Sequence, residues 1–330
     1  MDTLWDASLE TTRWLQAHYP QLVGFFTFIS QLGLEEFYLA VIPLLYWSVD
    51  KRLGRHLAYV FLFVNAWNPL FKHAFRGPRP FWLDASVELW PETSYGIPSG
   101  HTQLATAVYL FLAGWFRKTW GWLLAIFMVI AMNVSRVYLG SHFIHDVLAG
   151  TLIALIVLFG YFLWQRTYAA NFGKRILGYR LMVAIVIPLV LALLYLVMRL
   201  IIGAPNINVA WASHITEAEL EGLEGMATAV GSLLGAGIGL TLERSRVRFL
   251  SQGTVWQRIG RFLLGIVVTV ALWRGLSLIF PADPLWLAIP LRILRYFITL
   301  LWVSFYAPMA FVRLKLAAAE PTPQITMTPP

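Results

Sequence analysis

The chain has 330 residues, a net charge of +8 and no cysteine; 58% of its residues are hydrophobic and only 13% are charged. A soluble domain carries about 25% charged residues, so this composition, with a mean hydropathy of +0.66, excludes a water-soluble globule and places the chain in a bilayer. The absence of cysteine excludes disulfides, thiolate nucleophiles and Cys-ligated zinc or iron–sulfur centres. The basic residues sit in short clusters between apolar runs, the pattern of cytoplasmic membrane loops, which speaks against nucleic acid as a partner.

The N-terminus opens on Asp2 and Asp6 and lacks the basic start of a signal peptide. Residues 1–30 mix Trp14, Leu15, Leu22, Phe25, Phe26 and Phe28 with Glu10, Arg13, Gln16, His18 and Gln21, which predicts an amphipathic helix lying at the membrane interface. Apolar runs of spanning length follow near 33–48, 57–72, 101–116, 120–137, 142–164 and 181–202, a six-helix unit over 31–202. Further spans at 222–242, 262–280 and 285–312 fall in a C-terminal block, 203–316. In the first of these, Gly231 and Gly235 are four apart, a small-residue spacing that predicts close helix packing. Four prolines between Glu320 and Pro330 predict a disordered tail over 317–330. The expected fold class is therefore all-α: a polytopic membrane bundle of six core helices and about three extra C-terminal ones.

Counting Lys and Arg on alternate sides puts 16 of the 25 on one face, among them Lys51, Arg52, Arg55, Arg180, Arg244 and Arg258. That face is expected to be cytoplasmic, with the N-terminus outside and the C-terminus inside. Arg199, Arg274, Arg292 and Arg295 fall within or near the later spans, where they could pair with acids or line a lipid path, but snorkelling to the interface is the expected role. Residues 181–312 hold no second assignable constellation.

Three clusters stand on the cation-poor face. The second span ends in Lys72-His-Ala-Phe-Arg-Gly-Pro-Arg79-Pro80. This group could anchor the chain to lipid headgroups, but Pro78 and Pro80 stiffen the backbone around Arg79 and favour a positioned anion ligand. Pro98-Ser99-Gly100-His101 immediately precedes the third span and reads as a helix N-terminus with free N–H groups for an oxyanion, although Ser99 alone could be an ordinary cap. The fourth span ends at Ser135-Arg136, and the fifth opens on His142 and Asp146, which share a helix face. A carboxylate there fixes the imidazole tautomer and raises the basicity of its free nitrogen. His145 and His73 read as packing or interfacial residues.

Taken in order, Lys72 with six residues before Arg79-Pro80, then Pro98-Ser99-Gly100-His101, then Ser135-Arg136 with five residues before His142 and three before Asp146 closely resemble the signature motifs of the type 2 phosphatidic acid phosphatase superfamily. The resemblance covers roughly residues 30–165. It implies His142 as the nucleophile that becomes a phosphohistidine, Asp146 as its orienting partner and His101 as the acid for the leaving oxygen. Lys72, Arg79, Arg136, Ser99 and Gly100 would hold the phosphate, with Pro80, Pro98 and Ser135 in support. No metal or other cofactor is implied. The flanking Phe81, Trp82, Trp90 and Tyr95 suit the headgroup level, so the expected partner is a lipid phosphate in the membrane, and the compact loops fit a bacterial cytoplasmic membrane. A looser resemblance, through Leu32-Gly-Leu-Glu35-Glu36-Phe37-Tyr38 and the extra C-terminal spans, points to the sphingosine-1-phosphate phosphatase branch. A soluble ester, as for glucose-6-phosphatase within the same superfamily, and a transporter using the His–Asp pair as a proton relay remain the alternatives. The oligomeric state is not legible.

Overall fold

The apolar runs become helices whose ends are set by the caps, glycines and cations between them. The computed structural model describes residues 3–320, and within them the extended pairing is a single antiparallel bridge between Phe249 and Ala319. The N-terminal segment forms α1 (Thr3–His18) and α2 (Val23–Gln31). The six-helix unit supplies α3 (Glu35–Leu44), α4 (Lys51–Phe75), the short α5 (Pro80–Leu83), α6 (Gly100–Phe116), α7 (Thr119–Tyr138), α8 (Ile144–Thr167), the short α9 (Ala169–Gly173) and α10 (Leu177–Ile202). The C-terminal block contributes α11 (Ala212–Leu242), α12 (Val255–Ile279), α13 (Leu285–Leu301) and α14 (Ala307–Arg313).

Every expected span coincides with a helix, but not every one is long and apolar enough to cross a bilayer by itself. Six helices are, counting their continuations to Val247 and Arg313, and a seventh span arises if the pair Pro20–Gln31 and Glu35–Val49, bent by 51°, counts as one. The two exceptions are α4, which opens on Lys51, Arg52 and Arg55 and ends on Lys72 and His73, and α6, which has only 17 residues. Both run through the middle of the bundle. Leu57, Val60 and Val64 of α4 pack against Leu104, Ala107, Val108 and Phe111 of α6 and Ala154 of α8, all at most 4% exposed. Protein rather than lipid surrounds them there, so their polar ends are tolerated.

The C-terminal block wraps α11. Of its most apolar stretch 72% is buried, against 11–39% for the other five spanning helices, so α11 is the axis of this half and its neighbours carry the lipid-facing surface. A Cβ on Gly231 would come within 2.3 Å of Ile293 O and one on Gly235 within 2.4 Å of Phe297 O; the small-residue spacing lets α11 and α13 touch backbone to backbone.

Three expectations are revised. The single amphipathic helix over 1–30 is two helices. Of these α1 lies across the loops, with Thr12 Oγ1 donating to Val137 O (3.1 Å) and Gln16 Nε2 to Tyr138 O (2.8 Å), while α2 packs on α7. Two of the four intramembrane arginines are ion-paired rather than snorkelling: Arg292 to Glu224 at 2.6 Å and Arg199 to Glu219 at 3.4 Å. The start of the expected tail, 317–320, runs beside 248–250, with Glu320 N donating to Arg248 O; residues 321–330 lie outside the described residues.

Candidate active site

Four helix ends converge on one buried pocket. Lys72 stands in the last turn of α4, which closes at Arg76 (φ 47°), and the Gly77–Pro80 segment then presents Arg79 just ahead of α5. Gly96 N donates to Gly77 O (2.9 Å), pinching the loop shut. A Cβ on Gly96 would lie 2.3 Å from Pro78 O and 3.0 Å from Asp146 Oδ2, so only glycine permits this approach. Ser99 caps α6, its Oγ accepting from Thr102 N (3.5 Å), and its own N–H donates to Asp146 O (3.1 Å), locking the start of α6 to α8. The first N–H groups of α6, from Gly100 and His101, belong to the set a helix leaves without intrahelical acceptors. Pro98 O accepts from Asn68 Nδ2 (3.2 Å), holding the same loop to α4. Arg136 lies in the last turn of α7, and a turn through Gly140 (φ +70°) leads to His142 and α8, with Asp146 in its first turn.

Arg79, Ser99, Ser135, Arg136, His142 and Asp146 are fully buried. His142 Nδ1 is 3.4 Å from Asp146 Oδ2, which also accepts from Phe143 N at 2.9 Å. With Nδ1 protonated toward Asp146, His142 Nε2 keeps its lone pair and accepts from Arg79 Nη1 at 3.1 Å. Burial and the Arg79 charge press the His142 pKa below that of a free imidazole, with Asp146 and Glu92 opposing. His145 stacks on Phe143, and its Nε2 lies 3.2 Å from Asp146 Oδ1, an oxygen that no donor reaches in hydrogen-bond geometry.

One residue that spacing did not reveal occupies the centre. Glu92 Oε2 is 2.6 Å from Arg79 Nη2 and 3.6 Å from His142 Nε2; its Oε1 accepts from Arg136 Nη2 and lies 3.5 Å from His101 Nδ1. Burial opposes its charge, but the Arg79 and Arg136 guanidiniums hold the carboxyl well below the usual range. Two guanidiniums and two imidazoles thus meet on one carboxylate, a donor set whose chemistry suits an anion.

Lys72 stands one step back. Its Nζ donates to Ser94 Oγ (2.6 Å), which also accepts from Arg79 Nη2 (3.0 Å). Ser135 Oγ donates to Phe26 O (2.7 Å) and so fastens α2 to α7 instead of facing the anion. Through that contact α2 supplies Ser30, whose Oγ accepts from Arg136 Nη1. Neither Ser30 nor Ser94 carries a motif. Glu92 offered no signal either, being one of three acids, with Asp84 and Glu88, in the loop between α4 and α6.

Residues 53–170 match the PAP2 superfamily, and residues 227–319 match the PAP2 superfamily phosphatase transmembrane extension. The chain belongs to the PAP2 superfamily. Arg79, Glu92, His101, Arg136, His142 and the whole signature set fall inside the first match, while the second runs from within α11 through α12 and α13 to α14. The chain is 31% identical over 147 residues to sphingosine-1-phosphate phosphatase 2 of Homo sapiens, covering 42% of this chain and 37% of that protein. It is 29% identical over 188 residues to glucose-6-phosphatase catalytic subunit 1 of Mus musculus, covering 48% and 52%. The chain therefore spans about half or less of these relatives. A solved transmembrane PAP2-type phosphatidylglycerolphosphate phosphatase from Bacillus subtilis is 25% identical, covering 51% of this chain and 89% of that one with a TM-score of 0.44.

The N-terminal part of α11, ahead of the extension match, is tied to the PAP2 domain beside the pocket. Glu219 of α11 pairs with Arg76 (2.8 Å) and Arg199 (3.4 Å), lies 3.4 Å from His73 Nδ1, and accepts from Tyr95 Oη (2.9 Å). Tyr95 O in turn accepts from Arg79 Nη2 at 3.2 Å. Glu219 and His73 thus form a brace from α11 to the loop that carries Tyr95 and Arg79.

Proposed function

We propose that this PAP2 protein is a metal-independent phosphatase that removes phosphate from a membrane lipid through a phosphohistidine, on the extracytoplasmic face. The observation that carries the reading is the single carboxylate shared by Arg79, Arg136, His101 and His142. A phosphoryl group in that position has the nucleophilic nitrogen, an acid and two fork donors around it.

In the proposed reaction the phosphate displaces Glu92. His142 Nε2 attacks phosphorus, the P–O ester bond breaks, and its electron pair leaves on the ester oxygen, which takes a proton from His101. Asp146 steadies the charge gained by His142. Arg79 and Arg136, with Lys72 behind them and the α6 N-terminus beside them, stabilise the charge on the equatorial oxygens. Water, deprotonated by the now neutral His101, then attacks phosphorus; the P–N bond breaks, releasing inorganic phosphate and restoring His142. The cation-rich opposite ends of the helices support the extracytoplasmic placement, and the apolar outer surface supports a substrate that arrives through the membrane. The glucose-6-phosphatase relatives favour a second reading, a soluble phosphate ester entering from water.

The test is phosphate release by the purified full chain in detergent with EDTA, across phosphatidic acid, phosphatidylglycerol phosphate, undecaprenyl diphosphate, sphingosine-1-phosphate and glucose 6-phosphate, beside His142→Ala. Release that survives the chelator and is lost in the variant supports the mechanism and ranks the substrates. Folded protein that hydrolyses none of them overturns it.

A further inference from the structure

A cavity of about 670 Å³ lies between α4, α8, α10 and α11, and none of the residues around Glu92 lines it. Along α4 its wall runs from Arg55 to Phe71, sixteen residues of helix or about 24 Å, most of the depth of a bilayer's hydrocarbon core. The walls are apolar for most of this length, with Val60, Phe63, Trp67 and Ile156 among them. Both α8 and α10 pack on α4, but they share no extended contact with each other, so the cavity opens sideways between them.

The end away from Lys72 is different. Arg55, Arg180 and Arg244 line it from three separate helical segments. Among the described residues none of the three has a carboxylate at ion-pair distance, because the neighbouring Glu243 is taken by Lys51 at 2.7 Å. Arg180 donates through Nη2 to Ser245 Oγ (2.9 Å), while its Nε is buried without any hydrogen-bond partner. Three cations converging on one apolar slot repel one another and lack a counter-charge, and an unpaired buried N–H is costly.

We propose that this cavity binds one anionic phospholipid from the leaflet opposite the Glu92 pocket, its phosphate held by Arg55, Arg180 and Arg244 and its acyl chains lying along α4. Charge complementarity selects the headgroup, and the length and apolarity of the slot select the tail. The site is separate from the proposed phosphatase reaction and stands or falls independently of it.

The test is native mass spectrometry of the full chain in detergent, titrated with dioleoyl phosphatidylglycerol, dioleoyl phosphatidylcholine or soluble glycerol phosphate. One phosphatidylglycerol is expected to be retained at least tenfold more tightly than phosphatidylcholine, and Arg180→Ala with Arg244→Ala to reduce that retention at least tenfold. Arg166→Ala, which removes an exposed cation of α8 outside the cavity, is expected to leave it unchanged. Gly160 lines the slot, and a Cβ there meets nothing within 4 Å. Gly160→Phe therefore obstructs the slot with all three arginines intact, and it too is expected to abolish lipid retention. Circular dichroism and gel filtration confirm that each variant is folded. Equal retention of the two lipids, equal loss in the Arg166 control, full retention in Gly160→Phe, or glycerol phosphate binding as tightly as the lipid would each overturn the proposal.

Discussion

Glu92 Oε2 lies 2.6 Å from Arg79 Nη2 while its other oxygen accepts from Arg136, so the pocket carries its own anion. Removing that charge without changing shape frees two buried guanidiniums for an external one. In Glu92→Gln, inhibition by vanadate should tighten about tenfold. The melting temperature should fall in phosphate-free buffer, because buried cations lose their partner, and recover when phosphate is added. An unchanged inhibition constant together with an unchanged melting temperature would show that Glu92 does not compete for the anion.

The pH profile gives a second expectation. In the proposed mechanism His142 attacks only when Nε2 is unprotonated, and its pKa is lowered by burial and by Arg79. The neutral form therefore persists below the pH at which a free imidazole protonates, and the acid limb of kcat/KM should fall below about pH 6.5. Glu92 is one of the groups that raise this pKa, so Glu92→Gln should move the limb to still lower pH. A limb at or above 6.5, or one that shifts upward in the variant, contradicts the assignment.

A third expectation concerns Gly33, at the break between α2 and α3. A Cβ there would fall 2.8 Å from His101 Cδ2 and 2.9 Å from Met132 Cε, whereas one on Gly24 would meet nothing within 4 Å. Gly33→Ala should push the His101 ring and lower kcat by about tenfold or more, since small misplacements of a reacting group are expensive in rate. Gly24→Ala should leave kcat alone. Equal rates in the two variants would remove Gly33 from the positioning of His101.

The brace from α11 gives a fourth. Glu219→Gln keeps the shape but weakens the hold on Arg76, Arg199 and Tyr95. Because Tyr95 lies next to the Ser94 that Arg79 and Lys72 share, kcat should drop while the His142 pH limb stays in place. A loss in thermal stability with kcat intact would make the contact purely structural.

What the sequence made legible here followed from chain geometry. Lys72, Arg79, His101, Arg136 and His142 could be placed on one face because spans alternate, and the structure does gather them within one pocket. Gly231 and Gly235 were readable because four-residue spacing has one meaning on a helix. Glu92, Ser30 and Glu219 were not readable, since each acts across contacts of 44, 106 and 124 residues in sequence, and no local pattern encodes such a separation. Arg199 and Arg292 were assigned to snorkelling for the same reason: their carboxylates come from another helix. The N-terminal segment was read as one interfacial helix because its composition is amphipathic throughout. Tyr19-Pro20 breaks it, because the proline cannot continue the ladder of the first helix.

The carboxylate tethered in the pocket also sets a threshold. An internal competitor on a short loop acts as though present at about millimolar concentration, so a visiting phosphate must exceed that level or bind correspondingly better. A dilute ester in bulk water meets the full handicap. If the substrate is a lipid, as proposed, its confinement to two dimensions gives a local concentration that offsets this handicap, and the loop would then filter how the substrate is delivered as well as what it is.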